Sequence, residues 1–540
     1  MVISNAFRPL KEFYFRTPIY DWRLKRSEFK EIVLSINDLW PGEAEVGREI
    51  IDGKIVGVSV MSPDAFWKIS PIDPLSIESL HGFSWLRHLR AQGGDAARKT
   101  ARTMVGRWLD FNSSWSPLYW RGDVLGERIS AWIGMYDFFC DSADEVFRIK
   151  VLTSINHQAE HAISDFRSVP HGIKRIRALK GIIITTVALG GSSSRLQLLE
   201  EWLLKELILQ INSDGGHISR SPAIQIEMVM ALIDIRNSFR ACEWNSSDEL
   251  QQAIASMTAI LRLWRHGDGK LALFHGTKEG GAALLESVIA QSESRRKTIT
   301  NAPVTGFQRL VAGRSIVIVD TGDAKVLDSV AHSSPLSFEF STGKHRLIVN
   351  CGTSPGDMAL KNPLKSSVAH SMLTIDGKNA SYIYPYSSKL KKESLTISTE
   401  RKLDSGAILL NTSHNGYYLA LGIFHHRRFY LASSGDDFRG EDQLIYTGQP
   451  GNIPSEAIIR FHLHPRVRAS VIKNGSSVLL RPQTGNLWRF RTDGDVNLEE
   501  SIYYGSASRQ KSEQIVVTAS LNSIREDGQV VVKWALRREE

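Results

Sequence analysis

His217 and Arg220 lie three residues apart in DGGHISRSP (Asp214 to Pro222), a stretch with two glycines and a proline between two helical patterns. These residue types at this spacing suit the handling of an anion. Asp214–Gly216 reads as a turn that leaves His217 and Arg220 near the start of the next helix, where free N–H groups and a guanidinium favour negative charge. A histidine, with an ordinary pKa of about 6.5, can give or take a proton near neutrality. The bland use stays open: DGG is a turn in most proteins, His217 can cap a helix, and Arg220 can pair with a carboxylate between helices. WSPLYWRGDVLGERISAW (Trp115 to Trp132) adds Trp120, Arg121 and Arg128. Aromatic rings stack on sugars and guanidinium groups hold carboxylate or sulfate, while packing between helices is the expected fate of Trp132. Phe274 and His275 in LALFHG could face a cleft. His462 and His464 alternate in RFHLHP and so share one strand face, expected to be solvated, whereas the adjacent His425 and His426 must point oppositely. Glu127 and Glu227 are the only obvious helical carboxylates for a glycoside hydrolase.

The elements that position these residues change character near residue 300. Residues 1–75 read as an N-terminal extension with a short hairpin at IIDGKIVGVSV, and residues 76–299 as helices joined by short breaks. Leu199, Leu203, Leu207 and Ile211 recur every four positions, as do Ile224, Met228, Leu232 and Ile235 with one step of three, each set defining one helical face. Consecutive helices without intervening strands suggest an α/α toroid. From 300 to 540 the period becomes two, with Gly, Asn, Asp and Ser between runs, which predicts antiparallel strands in a β-sandwich. The fold class is therefore α+β multidomain: an N-terminal α/α toroid followed by a C-terminal antiparallel β-sandwich, with the crevice between them as the expected site.

Composition narrows the partners. The formal net charge is +8, and residues 301–540 hold 29 Lys and Arg against 23 Asp and Glu, so the basic excess lies mainly there. A basic surface attracts polyanions, yet no dense Lys/Arg run with interleaved aromatics favours nucleic acid. Cys140, Cys242 and Cys351 form neither a disulfide framework nor a CxxC zinc site. GIIITTVALGG (Gly181 to Gly191) is too short for a membrane span and reads as buried helix. The N-terminus lacks the apolar core of a secretory signal, which makes the cytoplasm the default compartment and the periplasm the alternative.

This order of domains, with DGGHISRSP, HGDGKLALFHG (His266 to Gly276), AHSSPLSFEFSTGKHRLIVNCGT (Ala331 to Thr353), AHSMLTIDG (Ala369 to Gly377), GEDQL and RFHLHP, resembles the heparinase II/III-like family of polysaccharide lyases, in its uncharacterised bacterial members. The resemblance implies β-elimination on a uronate-bearing acidic polysaccharide or oligosaccharide. A base removes the proton beside the carboxylate, an acid protonates the departing oxygen, and a cation or hydrogen-bond donors neutralise the carboxylate. It further implies a zinc site of His332, Asn350 and His370, no organic cofactor, and His171 as the stand-in for the family's carboxylate-gripping Asn. The chain departs from the family at several positions. Ile224 and Gln225 occupy the Tyr and His of Ser-x-x-Tyr-His, Val330 and Ser334 replace a His and an acid, and Asn350 replaces an Asp. An isoleucine transfers no proton, and a carboxamide binds zinc more weakly than a carboxylate. The expected function is a lyase with catalytic His217, Arg220 and His171, and with Arg121, Arg128, Trp120 and His275 on the substrate. The alternative is a non-catalytic glycan-binding or assembly protein on the same scaffold.

Overall fold

The computed structural model describes residues 8–24, 31–55, 58–59, 67, 74–323, 330–354, 357–381, 395–448, 454–472, 477–506 and 508–539. The chain divides into two compact units. One comprises Met1–Gln210, Glu227–Ile254 and Ser287–Glu293, and the other Ile211–Ile226, Ala255–Glu286 and Ser294–Glu540.

The first unit is helical. Strands β1 (Lys54–Ile55) and β2 (Val58–Ser59) pair antiparallel as the expected hairpin, whose turn residues 56 and 57 lie outside the described residues. The helices Gly94–Asn112, Gly122–Gly134, Glu145–Asp165, Ile173–Ala188 and Ser193–Gln210 follow one another with short breaks. Asp144 caps the third of these by accepting from the Phe147 N–H at 2.8 Å. GIIITTVALGG is indeed buried helix: its Gly181 lies against Gly126, and a Cβ there would meet the Gly126 Cα at 2.4 Å. Glycine is needed at that contact because two helix backbones touch. Leu199, Leu203 and Leu207 are buried as one stripe, as are Met228, Leu232 and Ile235. No helix among the described residues is long and apolar enough to cross a membrane.

The second unit carries the sheets. Its strands are β3 (Asn301–Ala302), β4 (Phe307–Ala312), β5 (Ser315–Asp320), β6 (Phe338–Thr342), β7 (His345–Val349), β8 (Leu373–Ile375), β9 (Ile397–Asp404), β10 (Ala407–His414) and β11 (Ile423–Leu431). They continue as β12 (Asp437–Tyr446), β13 (Glu456–Leu463), β14 (Val467–Ile472), β15 (Ser477–Pro482), β16 (Trp488–Thr492), β17 (Asp495–Tyr503), β18 (Gln510–Ser520) and β19 (Gln529–Arg538). Among the described residues they form a nine-stranded sheet, ordered β17-β18-β13-β7-β6-β5-β4-β3 with β8 on β13, and an eight-stranded sheet, ordered β14-β15-β16-β19-β12-β11-β10-β9. Every named pairing is antiparallel. Alternate residues of both sheets meet in one apolar core, where the Phe338 ring stacks on Trp534 at 5.5 Å between centroids.

The loops that precede the sheets in sequence belong to this unit through hydrogen bonds. Asp214 accepts from the backbone N–H groups of Val304 and Thr305, and Asp268 accepts from the Arg346 guanidinium at 2.9 and 3.1 Å.

Candidate functional site

DGGHISRSP forms a tight turn closed by an isolated bridge between Ile211 and His217. Gly216 is required by contact: a Cβ there would lie 1.9 Å from Thr305 Oγ1. Gln225, at the family's His position, staples the turn. Its carboxamide oxygen accepts from the His217 N–H at 2.7 Å, and its nitrogen donates to the Gly215 and Met257 carbonyls at 3.0 and 2.9 Å. His217 is buried, and its Nδ1 accepts from the Ser219 N–H at 3.0 Å. Burial lowers its pKa to about 4, so it is neutral at physiological pH.

Arg220 adopts φ 61°, the left-handed region that costs a non-glycine residue about 1–2 kcal/mol. This backbone aims the buried guanidinium at Asp320, at the end of β5, with which it forms an ion pair. The guanidinium also donates to the carbonyls of Thr305 and Gly306, at 2.7 and 3.0 Å, and lies over the Phe307 ring at 4.9 Å. Only its Nη1 lacks a partner among the described residues. Asp320 further accepts from Ser334 Oγ at 2.9 Å and lies 3.1 Å from His275 Nε2. Burial pushes the Asp320 carboxyl up, but Arg220 and then His275 outweigh it and hold the pKa at about 2. The position expected to carry the family's acid is thus a loop serine hydrogen-bonded to a carboxylate supplied by β5.

Three histidines continue from this pair with their tautomers fixed by the backbone. The His332 N–H donates to His275 Nδ1 at 3.2 Å, which leaves the His275 proton on Nε2, facing Asp320. The Gly276 N–H donates to His332 Nε2 at 3.0 Å, so the His332 proton sits on Nδ1 and faces His370 Nε2 at 2.9 Å. His370 Nδ1 donates to the Ser366 carbonyl at 2.8 Å. Burial lowers His332 well below the ordinary histidine range and His370 to about 4.

This order decides how well His332, Asn350 and His370 fit zinc. A neutral histidine ligates through one nitrogen while the other carries a proton and donates outward. His370 meets that requirement. His332 does not, because the nitrogen that would have to donate receives the Gly276 N–H instead. The Asn350 carboxamide oxygen accepts from the Ser371 N–H at 3.0 Å. His332 and His370 meet in a hydrogen bond and Asn350 is bonded to Ser371, an arrangement that does not suit the metal.

A second buried polar group adjoins the sheets. Glu339, in β6, accepts from the Leu273 and Asn350 N–H groups at 3.0 and 3.1 Å and faces His266 Nε2 at 3.0 Å. Burial raises its pKa to about 7. Glu279 is bonded by Tyr503 and faces Lys270 at 2.6 Å and His464 at 3.1 Å. Its burial is outweighed by His464, Arg346 and Lys270, which hold it well below the carboxylate range. The face expected to be solvated is therefore covered: His462 is buried, bonded to Ser501 Oγ at 2.8 Å and to the Val368 carbonyl at 3.0 Å.

The remaining candidates lie in the helical unit. Arg128 is fully buried, donating to Gln158 and to the His81 and Tyr119 carbonyls while stacking over Trp108 at 4.0 Å. Trp120 is 3% exposed and donates to the Asn112 carbonyl. Both expectations of substrate contact are corrected, since helix packing consumes these side chains. Arg121 pairs with Glu78 and Asp123. His171, 46% exposed, faces Glu206 at 2.8 Å. Glu127 faces Lys180 and Glu227 faces Arg177, so neither is a free carboxylate for hydrolysis. His275, like His217, is buried.

Asp320, Glu339 and Glu279 escaped the sequence reading. Asp320 ends the β-branched run SIVIVD, and a carboxylate closing such a strand is a usable signal. Glu339 alternates with Phe338 and Phe340, a pattern that reads as solvent-facing until a loop covers that face.

Comparison with known proteins agrees with this architecture. Residues 294–535 match the family described as "Heparinase II/III-like, C-terminal". The chain is 27% identical over 510 residues to the FtsZ-localized protein C of Caulobacter vibrioides, covering 92% of this chain and 87% of that protein. The solved structure of heparinase III is similar at TM-score 0.70 and 14% identity, over 99% of this chain and 91% of that one. The heparan sulfate lyase HepC of Pedobacter heparinus is similar at TM-score 0.60 and 15% identity, over 96% and 87%. At these identities the two structures show the shared fold: a helical N-terminal region followed by antiparallel sheets.

Proposed function

We propose, for a chain whose residues 294–535 match the heparinase II/III-like C-terminal family, a module that holds an acidic, uronate-bearing glycan without cleaving it. β-Elimination needs a cation or donors free to neutralise the substrate carboxylate and a base with an open lone pair. The observation that carries the reading is the Arg220–Asp320 pair: the cation best placed for a uronate is already neutralised inside the protein. The supporting observations are Ile224 at the Tyr position and His275 and His332, whose acceptor nitrogens each receive a backbone N–H. The test is to mix the purified protein with a panel of acidic polysaccharides while following both binding and the ultraviolet absorbance of the unsaturated uronate that elimination creates. Binding without a rise is expected. A rise abolished in His217→Ala and Arg220→Ala would restore the lyase reading and place its chemistry on DGGHISRSP.

A second reading, an assembly role, is favoured by the similarity to the FtsZ-localized protein C. Co-sedimentation of this protein with FtsZ polymers tests it, and a supernatant fraction unchanged by FtsZ would exclude direct association.

A further inference from the structure

We infer that the solvent face of the eight-stranded sheet is a docking surface for a linear acidic polysaccharide. The inference takes the ligand class from the preceding reading and locates it on a face outside the His217–His370 group. Strand registers align Leu409, Tyr430, Arg439, Ala535 and Arg491 in one row across β10, β11, β12, β19 and β16. A parallel row sets Arg428 opposite Glu441, and Glu441 opposite Lys533. These residues line an open groove of about 490 Å³. At the usual strand spacing of about 4.8 Å, the row of five spans roughly 19 Å and sets Arg439 and Arg491 about 10 Å apart, with the small Ala535 as the floor between them.

Charge argues for the occupant. Arg428, Arg439, Arg491 and Lys533 line the groove against the single carboxylate Glu441. Glu441 faces Arg428 at 2.8 Å and Lys533 only at 3.9 Å, Arg439 leans on Asp437, and Arg491 has no ion pair among the described residues. The Arg439 guanidinium lies over the exposed Tyr430 ring at 5.6 Å, a contact that holds this cation on the groove face. All five strands of the row are interior to their sheet, so their backbone groups are paired and a peptide cannot add as a strand. Recognition therefore rests on side chains, which suits a rod carrying repeated negative charge.

The test uses the full chain and fluorescein-labelled oligogalacturonate, with heparin as a sulfated competitor and a DNA duplex as the other class of polyanion. The charge reversal Arg491→Glu/Lys533→Glu is expected to weaken oligogalacturonate binding at least tenfold with an unchanged melting temperature. Arg491→Lys/Lys533→Arg should retain binding within about twofold, and higher salt should weaken it through screening. Wild-type binding equalled by the charge reversal would overturn the surface while leaving the glycan reading intact. No wild-type binding to either glycan at low salt would overturn both. Tighter binding of the duplex than of either glycan would overturn the ligand class.

Discussion

Replacing Asp320 by asparagine separates a structural Arg220 from one kept for a ligand. The carboxyl is held at about 2 against an ordinary 3.8, a gap of about 2.5 kcal/mol at roughly 1.4 kcal/mol per pKa unit. Asparagine also strands the buried guanidinium, which raises the expected loss to the 3–5 kcal/mol, roughly, that follows when one partner of a buried pair is removed. The sign with pH follows from a folded pKa below the ordinary one. The contribution is present above about 3.8 and is lost as the pH falls through about 2, so the loss in Asp320→Asn should be constant from pH 5 to 8. The assay is the urea midpoint, read by tryptophan fluorescence, for Asp320→Asn, Arg220→Met and the double variant. Because the two side chains touch, the double variant should cost at least about 1.5 kcal/mol less than the two single losses together. Additivity within about 0.5 kcal/mol, or an Arg220→Met variant of unchanged stability that has lost glycan binding, would refute the reasoning and return Arg220 to the ligand.

Three further outcomes follow from the buried polar groups. Glu339, raised by burial from an ordinary 4.5 to about 7, keeps a proton that the unfolded chain loses, so its contribution to stability should fall as pH rises between those values; the melting temperature of Glu339→Gln should change less across that window than that of the wild type. Zinc at one equivalent, or a chelator, should leave the melting temperature unchanged, and retention of one zinc per chain by elemental analysis would contradict the tautomer assigned to His332. Gln225→Ala should lose about 3 kcal/mol for three buried hydrogen bonds at roughly 1 kcal/mol each, and Gln225→His should remain destabilised because an imidazole cannot reach all three partners.

How much was legible in the sequence differs between fold and site. Periodicity alone marked the helical and β halves and the apolar stripes, since the burial of Leu203 or Met228 follows from their spacing on a helix. The motif order carried the family resemblance, and the same letters exposed its departures at Ile224, Val330 and Ser334. Which side chains would be free was not legible. Arg220 and His217 have the right types and spacing for an anion, yet Arg220 is consumed by Asp320, 100 residues further along the chain, and His217 is buried in a turn that Gln225 ties to Met257 across 32 residues. The same holds for Trp120 and Arg128, whose chemistry suits a sugar but whose side chains are buried.

The sequence by itself therefore determined the elements, their order and the residue types present at each motif, because helix and strand periods are local properties of the chain. Tertiary structure decided the protonation, pairing and exposure of each candidate. Burial and the geometry of a hydrogen bond depend on which distant segments meet. Those contacts locked the histidines into one proton order, neutralised Arg220, and left Arg491 and Lys533 facing water on a sheet that the alternating pattern alone could not orient.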